Sequence, residues 1–168
     1  HIYEDAKKSI WAEFHDAFLH SIPQCVPLQT LSKDRNDYIL HPASGESLSE
    51  ESKQIVESLR KSRAMAYDCQ IVISDGLNAS ALTEDNQLLD LLKNLKLALE
   101  KQQFVVAPEL LVVTSGRVRV GYQIGTILFA GRNTAAEKTA GTLLHIIGER
   151  PGSGHRTMSI YMTSLDGK

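Results

Sequence analysis

Cysteine is scarce in this sequence of 168 residues, which contains only Cys25 and Cys69. The two form no C-x-x-C pair and have no histidine at ligand spacing, so neither a zinc site nor a disulfide framework is expected. Isolated cysteines are typical of proteins in a reducing cytoplasm, where they act as small apolar side chains. We therefore expect a cytoplasmic protein without metal ligands.

A basic surplus and a long apolar run are also missing. The formal net charge of −2 argues against nucleic acid as the main partner, because binding to phosphates needs a positive surface. No apolar segment approaches the length of a membrane span, and no signal peptide opens the chain. The chain starts at His1 and stops at Lys168, a few residues past an expected strand, so we expect a fragment of a longer protein.

The local signatures of catalysis are absent as well. The sequence has no G-x-S-x-G turn, and we find no close pair of carboxylates suited to acid–base catalysis. It also lacks the G-x-G-x-x-G and Walker patterns that cradle phosphates, which disfavours an enzyme acting on a nucleotide-like ligand. We assign no catalytic residue, and we expect a protein that binds a ligand rather than one that carries out a reaction by itself.

The first 44 residues predict a helical arm followed by a linker. One apolar face recurs through the first twenty residues, formed by Ile10, Phe14, Ala17 and Phe18. Three prolines and little periodicity predict an irregular segment from Ser21 to Gly45. We therefore expect residues 1–44 to be an arm that docks on a neighbouring unit, and residues 45–168 to form the main domain.

From residue 45 onward, expected strands alternate with expected helices. A capping pattern at Ser47–Glu50 predicts a helix to about Arg63, and leucines from Leu88 to Leu99 recur with the clearest helical period in the chain. A further helix is expected at Tyr122–Phe129. The apolar stretches that predict strands are Tyr67–Ser74, Phe104–Val106, Leu110–Val113, Leu143–Ile147 and, at a sheet edge, Met158–Thr163. This alternation predicts an α/β fold with a mostly parallel sheet and helices on both faces.

The most informative stretch is the apolar run Leu143–Ile147 with the loop Gly148–Gly154 behind it. Open α/β sheets bind ligands at the carboxyl ends of their strands, and glycine lets the backbone come close to a bound molecule. We interpret Glu149 as an acceptor for a polar ligand and Arg150 as a partner for a carboxylate or phosphate. The alternative is that these two charges only stabilise the loop. His145, inside the apolar run, is expected to be a satisfied core histidine.

Two further stretches are ligand-binding candidates. Ser74 and Asp75 follow an apolar strand and could bind a polar ligand, although turn and cap hydrogen bonds explain the same residues and are the interpretation that composition favours. Val118 lies between Arg117 and Arg119 after a glycine, which could place it at a ligand surface beside two cations. A solvated turn explains these three residues about as well.

Several of these stretches, taken in order, resemble one family. They are Ile73-Ser74-Asp75-Gly76-Leu77-Asn78-Ala79, then Gly116-Arg117-Val118-Arg119-Val120 with Gln123-Ile124-Gly125, then Ile147-Gly148-Glu149-Arg150-Pro151-Gly152. Each is weak alone, but the ordered set resembles the small subunit of ethanolamine ammonia-lyase, an adenosylcobalamin-dependent enzyme. The resemblance covers roughly residues 45–163 and does not place residues 1–44.

The resemblance implies a Rossmann-like domain that presses on the corrin ring of adenosylcobalamin at an interface with a large catalytic subunit. That assembly converts ethanolamine to acetaldehyde and ammonia, so this chain would be a non-catalytic component of a carbon–nitrogen lyase. The resemblance also implies that Val118 packs on the ring and that Glu149 accepts hydrogen bonds from its peripheral amides. Ser74 and Asp75 are further amide partners on our own inference.

Two departures from the family pattern favour a truncated or divergent member. The polar segment Gly131–Gly141 is longer than the corresponding passage of the family, and a later cysteine that contacts the cofactor would lie beyond Lys168. We therefore expect a partial site. The alternative is an α/β interaction module of the same fold that has lost cofactor binding. The resemblance implies a hetero-oligomer with a separate or fused large subunit, in the cytoplasm or in a bacterial microcompartment.

Overall fold

Five strands form one sheet in the order β1-β3-β2-β4-β5. They are β1 (Cys25–Gln29), β2 (Cys69–Ser74), β3 (Leu110–Thr114), β4 (Gly141–Gly148) and β5 (Met158–Leu165). The computed structural model describes residues 2–131, 140–149 and 157–165. Strands β1 to β4 are parallel, and β5 lies antiparallel to β4 at the sheet edge. The predicted α/β class, the mostly parallel sheet and the edge strand are confirmed.

Seven α-helices and one 3-10 helix are found in the described part of the chain. They are α1 (Ile2–Trp11), α2 (Asp16–Ser21), α3 (Arg35–Leu40), the 3-10 helix Pro42–Glu46, α4 (Glu50–Ser62), α5 (Ser80–Thr83), α6 (Gln87–Lys101) and α7 (Val118–Leu128). The helix predicted from Ser47–Glu50 is confirmed as α4, but its cap is Ser49 rather than Ser47, because the Ser49 side chain accepts a hydrogen bond from the Ser52 amide. The leucine period that predicted α6 is also confirmed.

The central strands are covered on both faces, which explains why their sequences are continuous apolar runs. All six residues of β2 are buried. One face packs on α2, α5 and α6 through a core that contains Phe18, Ile71, Ile73, Leu82, Leu88, Val112 and Ile146. The other face packs on α4 and α7 through a core that contains Val56, Val72, Leu111, Val113, Val120, Ile124 and Leu143. Alternate residues of each strand thus enter opposite cores.

The N-terminal segment differs from the prediction. The expected single helix is two helices, α1 and α2, and the segment expected to be irregular contains β1. Strand β1 was missed because it is short and contains Pro27, which a strand tolerates at the edge of a sheet. Phe14 and Phe18 are buried in the same core as Ile71, so these residues pack on the sheet rather than on another unit.

Two other predicted segments need comment. The stretch Phe104–Val106 is not a strand, because only an isolated bridge joins Val106 to Cys69. Most of the expected polar loop, residues 132–139, and most of the glycine loop after β4, residues 150–156, lie outside the described residues. Within the described part of the chain, no helix is long and apolar enough to cross a membrane.

Candidate functional site

A cleft of about 120 Å³ lies at the carboxyl ends of β2 and β4. Its lining comes from four separate segments of the chain and consists of Tyr38, Gly76, Leu77, Arg117, Val118, Ile147, Gly148 and Glu149. The chain runs from β2 to β3 on one side and places β4 on the other side of β2. Such a reversal leaves a crevice between the two diverging loops, which is where open α/β sheets bind ligands.

Direct backbone contact joins the loops after β2 and β4. The Leu77 amide donates to the Gly148 carbonyl oxygen at 3.1 Å. A Cβ atom on Gly76, whose φ is +56°, would lie 2.1 Å from that same oxygen. A Cβ atom on Gly148 would lie 2.2 Å from the carbonyl oxygen of Asn78. Both positions therefore require glycine, because the two loops touch through their main chains.

The N-terminal turn of α7 forms a second wall. Gly116 packs against Ser74, since a Cβ atom here would lie 2.5 Å from the Ser74 hydroxyl oxygen. This close approach carries Arg117 and half-buried Val118 to the cleft. The Nε atom of Arg117 is buried and has no hydrogen-bond partner among the described residues. The wall thus combines an apolar side chain with an unsatisfied donor and the positive end of a helix.

Glu149 forms the rim of the cleft on the side of the sheet edge. Its amide donates to the Thr157 carbonyl oxygen at 2.8 Å, and its Oε1 atom accepts a hydrogen bond from the Tyr161 hydroxyl at 2.8 Å. This bond to Glu149 raises the pKa of the Tyr161 phenol. The Glu149 side chain is half-buried, and a carboxylate can accept several hydrogen bonds, so it retains capacity for a ligand.

Ser74 and Asp75, unlike Glu149, do not lie at the surface of the cleft. Both are fully buried and neither lines the cleft. The Ser74 hydroxyl is 2.7 Å from Nε2 of His145, and the Asp75 carboxylate accepts from the Gly116 amide and pairs with Arg35, each at 3.3 Å. The contact of these two side chains with a ligand stays a prediction, and the partners that they already have within the protein argue against it. The turn-and-cap interpretation describes them better.

Arg35 and Tyr38 of α3 belong to this region, although the sequence did not indicate them. The Arg35 guanidinium donates to the Gly76 carbonyl oxygen at 2.9 Å. The guanidinium carbons of Arg35 and Arg117 lie 4.7 and 4.6 Å from the centre of the Tyr38 ring, close enough for cation–π attraction. Burial raises the pKa of the Tyr38 phenol, whose hydroxyl donates to the Gly116 carbonyl oxygen at 3.2 Å.

Burial has opposite effects on the two titratable groups beneath the cleft. It raises the pKa of Asp75 to about 7, although the guanidinium of Arg35 and two backbone amides oppose the shift. It lowers the pKa of His145 to about 4, because the neutral imidazole is the form that an apolar strand accepts. The prediction that His145 is a core residue is confirmed by its burial, but its polar atoms are satisfied only in part: Nε2 is bonded to Ser74, and Nδ1 is buried without a hydrogen-bond partner among the described residues.

The fold and the cleft define an α/β domain with a glycine-lined cleft at the reversal point of its sheet, which is where sheets of this class bind ligands. Among the described residues, no three His, Cys, Asp or Glu side chains are grouped as metal ligands would be. The cleft offers apolar contact at Val118, acceptors at Glu149 and donors at Arg117. This chemistry suits a ligand that is partly apolar and carries hydrogen-bond donors and acceptors.

Comparison with known proteins places the chain more narrowly. Residues 2–166 match the ethanolamine ammonia-lyase light chain (EutC), and the chain belongs to this family. An ethanolamine ammonia-lyase small subunit of Pseudomonas fluorescens strain Pf0-1 is 32% identical over 137 residues, which are 81% of this chain and 45% of that protein. The ethanolamine ammonia-lyase small subunit of Clostridium acetobutylicum is 28% identical over 165 residues, which cover 94% of this chain and 58% of that protein. The chain thus spans about half the length of the curated relatives it matches.

Proposed function

We propose that this chain is the part of an ethanolamine ammonia-lyase small subunit that faces the cofactor, and that its cleft receives the edge of the corrin ring of adenosylcobalamin. The observation that carries the proposal is the meeting of Val118 and Glu149 in one cleft, although they are 31 positions apart in the sequence. These are the two residues onto which the family motifs place cofactor contacts. The Rossmann-like assignment belongs to the same proposal and is supported by the reversal of strand order at β2.

The residues of the cleft suit this cofactor. Val118 and Leu77 offer apolar surface to a ring face, and Glu149 can accept hydrogen bonds from the amides at the corrin periphery. The buried Nε atom of Arg117 is a donor without a partner in the described structure, and an amide carbonyl would satisfy it after a small movement of the side chain. Apolar, accepting and donating groups are therefore all present on one surface.

The size of the cleft argues for a second subunit. Sites that enclose a drug-sized ligand measure roughly 300–1,000 Å³. The cleft measures about 120 Å³, so it can take an edge of a cobalamin but cannot enclose it. The large subunit would cover the remaining surface, which is what a hetero-oligomer with the cofactor at the interface requires.

In this role the chain binds and orients rather than reacts. Adenosylcobalamin supplies radical chemistry through its cobalt–carbon bond when it is bound. Val118 packs on the ring and helps to exclude water, Glu149 fixes the rotation of the ring through its amides, and the contact between Gly76 and Gly148 keeps the backbone close to the cofactor. The conversion of ethanolamine to acetaldehyde and ammonia would take place in the large subunit, in the cytoplasm or a microcompartment.

Cofactor retention tests the proposal. The chain is mixed with the large subunit of a relative and with adenosylcobalamin, free cofactor is removed by gel filtration, and the cobalamin absorbance that elutes with protein is measured. We expect retention only when both proteins are present. Glu149→Ala should weaken retention at least tenfold, because a hydrogen bond to a charged group contributes about 1.5–3 kcal/mol. The control Glu57→Ala, on the exposed surface of α4, should retain cobalamin like the parent.

The second candidate function is an interaction module without a cofactor. A complex with the large subunit that elutes intact but never carries cobalamin would support this alternative and refute the first. A Glu149→Ala variant that retains cobalamin as well as the parent would refute the assignment of Glu149.

A further inference from the structure

One guanidinium joins three segments beneath the cleft. Arg35 donates through Nε to the Ile10 carbonyl oxygen at 2.8 Å, at the end of α1. It donates through Nη2 to the Gly76 carbonyl oxygen at 2.9 Å and pairs through Nη1 with Asp75 at 3.3 Å. Arg35 is only 5% exposed and Asp75 is not exposed at all, so each charge depends on the other and on these hydrogen bonds.

Asp75 connects this arginine to the opposite wall. Its Oδ2 atom meets Arg35, and its Oδ1 atom accepts from the Gly116 amide at 3.3 Å. The Ser115 amide is a further donor to this carboxylate. The buried side chain of Asp75, which belongs to the loop after β2, therefore contacts Arg35 on one side and the turn that carries Val118 on the other.

The same turn is bound by residues 30–45 at four more points. Tyr38 donates to the Gly116 carbonyl oxygen, and Thr30 donates to the Ser115 carbonyl oxygen at 2.9 Å. Arg117 donates to Gly45 through its amide at 2.8 Å and to the Tyr38 carbonyl oxygen through Nη2 at 3.0 Å. The segment that the sequence predicted to be a linker thus holds one wall of the cleft in place.

We propose that Arg35 and Asp75 are positioning residues that set the distance between the two walls of the cleft, so that this buried pair controls ligand binding without touching the ligand. The walls contain Gly76 and Gly116, which restrict the backbone little, and the buried pair supplies the missing restriction. The inference rests on the proposed function only for the identity of the ligand. The geometry of the walls can be measured without any cofactor.

Hydrogen–deuterium exchange of the isolated chain measures how firmly the backbone of each wall is held. Arg35→Gln should speed exchange in peptides that cover residues 75–78 and 115–118 roughly tenfold, equivalent to about 1.4 kcal/mol. Peptides from α6 should exchange as in the parent, because α6 has no part in these contacts. Lys53→Gln, which removes the exposed ion pair of α4, is the matched control and should change neither region.

A conservative variant separates positioning from general stability. Asp75→Asn keeps a carbonyl acceptor for the Gly116 amide but loses the charge that Arg35 needs. Relative to the parent, it should leave exchange at residues 115–118 slow and make exchange at residues 75–78 faster. Faster exchange everywhere, including α6, would show a merely structural pair and overturn the proposal, as would unchanged exchange at both walls. If Arg35→Gln does not fold, Tyr38→Phe replaces it, because this variant removes the hydroxyl that donates to the Gly116 carbonyl oxygen. It should speed exchange at residues 115–118 alone. Unchanged exchange at these residues overturns the proposal.

Cofactor retention is then measured in the assembly with the large subunit. Arg35→Gln should retain about tenfold less cobalamin and should also show faster exchange. Glu149→Ala should also retain less cobalamin, but its hydrogen–deuterium exchange should match that of the parent. This variant removes a contact with the ligand and leaves the hydrogen bonds between the walls in place. If the parent itself retains no cobalamin, the proposed function fails while the exchange data still decide whether Arg35 and Asp75 position the walls.

Discussion

Asp75 and Glu149 follow adjacent strands at the same edge of the sheet, yet their surroundings differ completely. Asp75 is fully buried, pairs with Arg35 and accepts from the Gly116 amide. Glu149 lies at the rim, half-buried, with Tyr161 as a hydrogen-bond partner. The difference arises because α3 and the segment after it cover the end of β2, whereas the end of β4 lies beside the last strand of the sheet.

The comparison teaches that position at a strand end does not by itself define a ligand contact. A carboxylate with buried partners fixes the backbone around it, and a carboxylate at the rim can exchange its partners for a ligand. Asp75 is therefore assigned to the architecture of the cleft, and Glu149 to its binding surface. Substitutions should separate the two roles by their effect on unfolding.

The largest expected difference is between the two alanine variants. Asp75→Ala leaves the Arg35 charge buried without its partner, which costs about 3–5 kcal/mol of unfolding free energy. Glu149→Ala should cost less than about 1 kcal/mol, because its side chain is partly solvated. Urea unfolding at pH 8 measures both. Equal losses in the two variants would contradict the division into an architectural and a binding carboxylate.

Next in size is the backbone contact between the loops after β2 and β4. Gly148→Ala would place a Cβ atom 2.2 Å from the Asn78 carbonyl oxygen, and backbone on both sides cannot yield easily. We expect a loss of about 3 kcal/mol, the upper end of the usual cost of overpacking. Gly131→Ala is the control, because its φ is +79° and an added Cβ atom meets no described atom within 4 Å. It should cost only about 1 kcal/mol, and a similar loss in both variants would refute close loop contact.

A third test measures how the unfolding free energy depends on pH at the acid end, through the buried side chain of His145. Burial lowers the pKa of His145 from 6.5 to about 4, so the unfolded chain takes up a proton before the folded one does. The stability that this group contributes is complete above about pH 6.5 and is lost as the pH falls through about 4, in total about 3 kcal/mol. His145→Gln should flatten this part of the curve of unfolding free energy against pH. His20→Gln, on the exposed surface of α2, is the matched control for the removal of an imidazole.

Asp75 should produce the opposite slope. Burial raises its pKa from 3.8 to about 7, so the unfolded chain loses its proton first and the contribution of Asp75 to stability falls as the pH rises between about 4 and 7. Asp75→Asn should therefore gain relative stability across this window. A parallel pH curve for Asp75→Asn and the parent would show that the carboxyl is not desolvated.

The sequence predicted the parts of this site that follow a local pattern. The apolar runs of β2 and β4 are recognisable because a strand buried on both faces is apolar throughout, and the leucines of α6 repeat at helical spacing. Glu149 and Val118 stand beside glycines in short motifs, and both line the cleft. These features depend on neighbours in the sequence.

The features of the site that the sequence did not predict depend on contacts between residues that are distant in the sequence. Arg35 reaches Asp75 over 40 positions and Tyr38 reaches Gly116 over 78, and no spacing in the sequence connects them. Strand β1 has only five residues and contains a proline, so its place in the sheet is decided by pairing with β3. Asp75 is buried by partners that are distant in the sequence, such as Arg35. The local sequence around Asp75 therefore left two interpretations open, a ligand contact and a turn or cap residue.

The smallest expected effect is at the rim, where Tyr161→Phe removes the hydroxyl that donates to Glu149. The bond lies at an exposed position, so its loss should cost only about 0.5–1 kcal/mol of unfolding free energy. The Tyr161 phenol should titrate by ultraviolet absorbance above its ordinary pKa, and Glu149→Gln should lower that pKa, because the bond to the carboxylate holds the proton. A loss of several kcal/mol in Tyr161→Phe would mean that the rim is as firmly fixed as the floor, and a fixed carboxylate could not release its partner to a ligand.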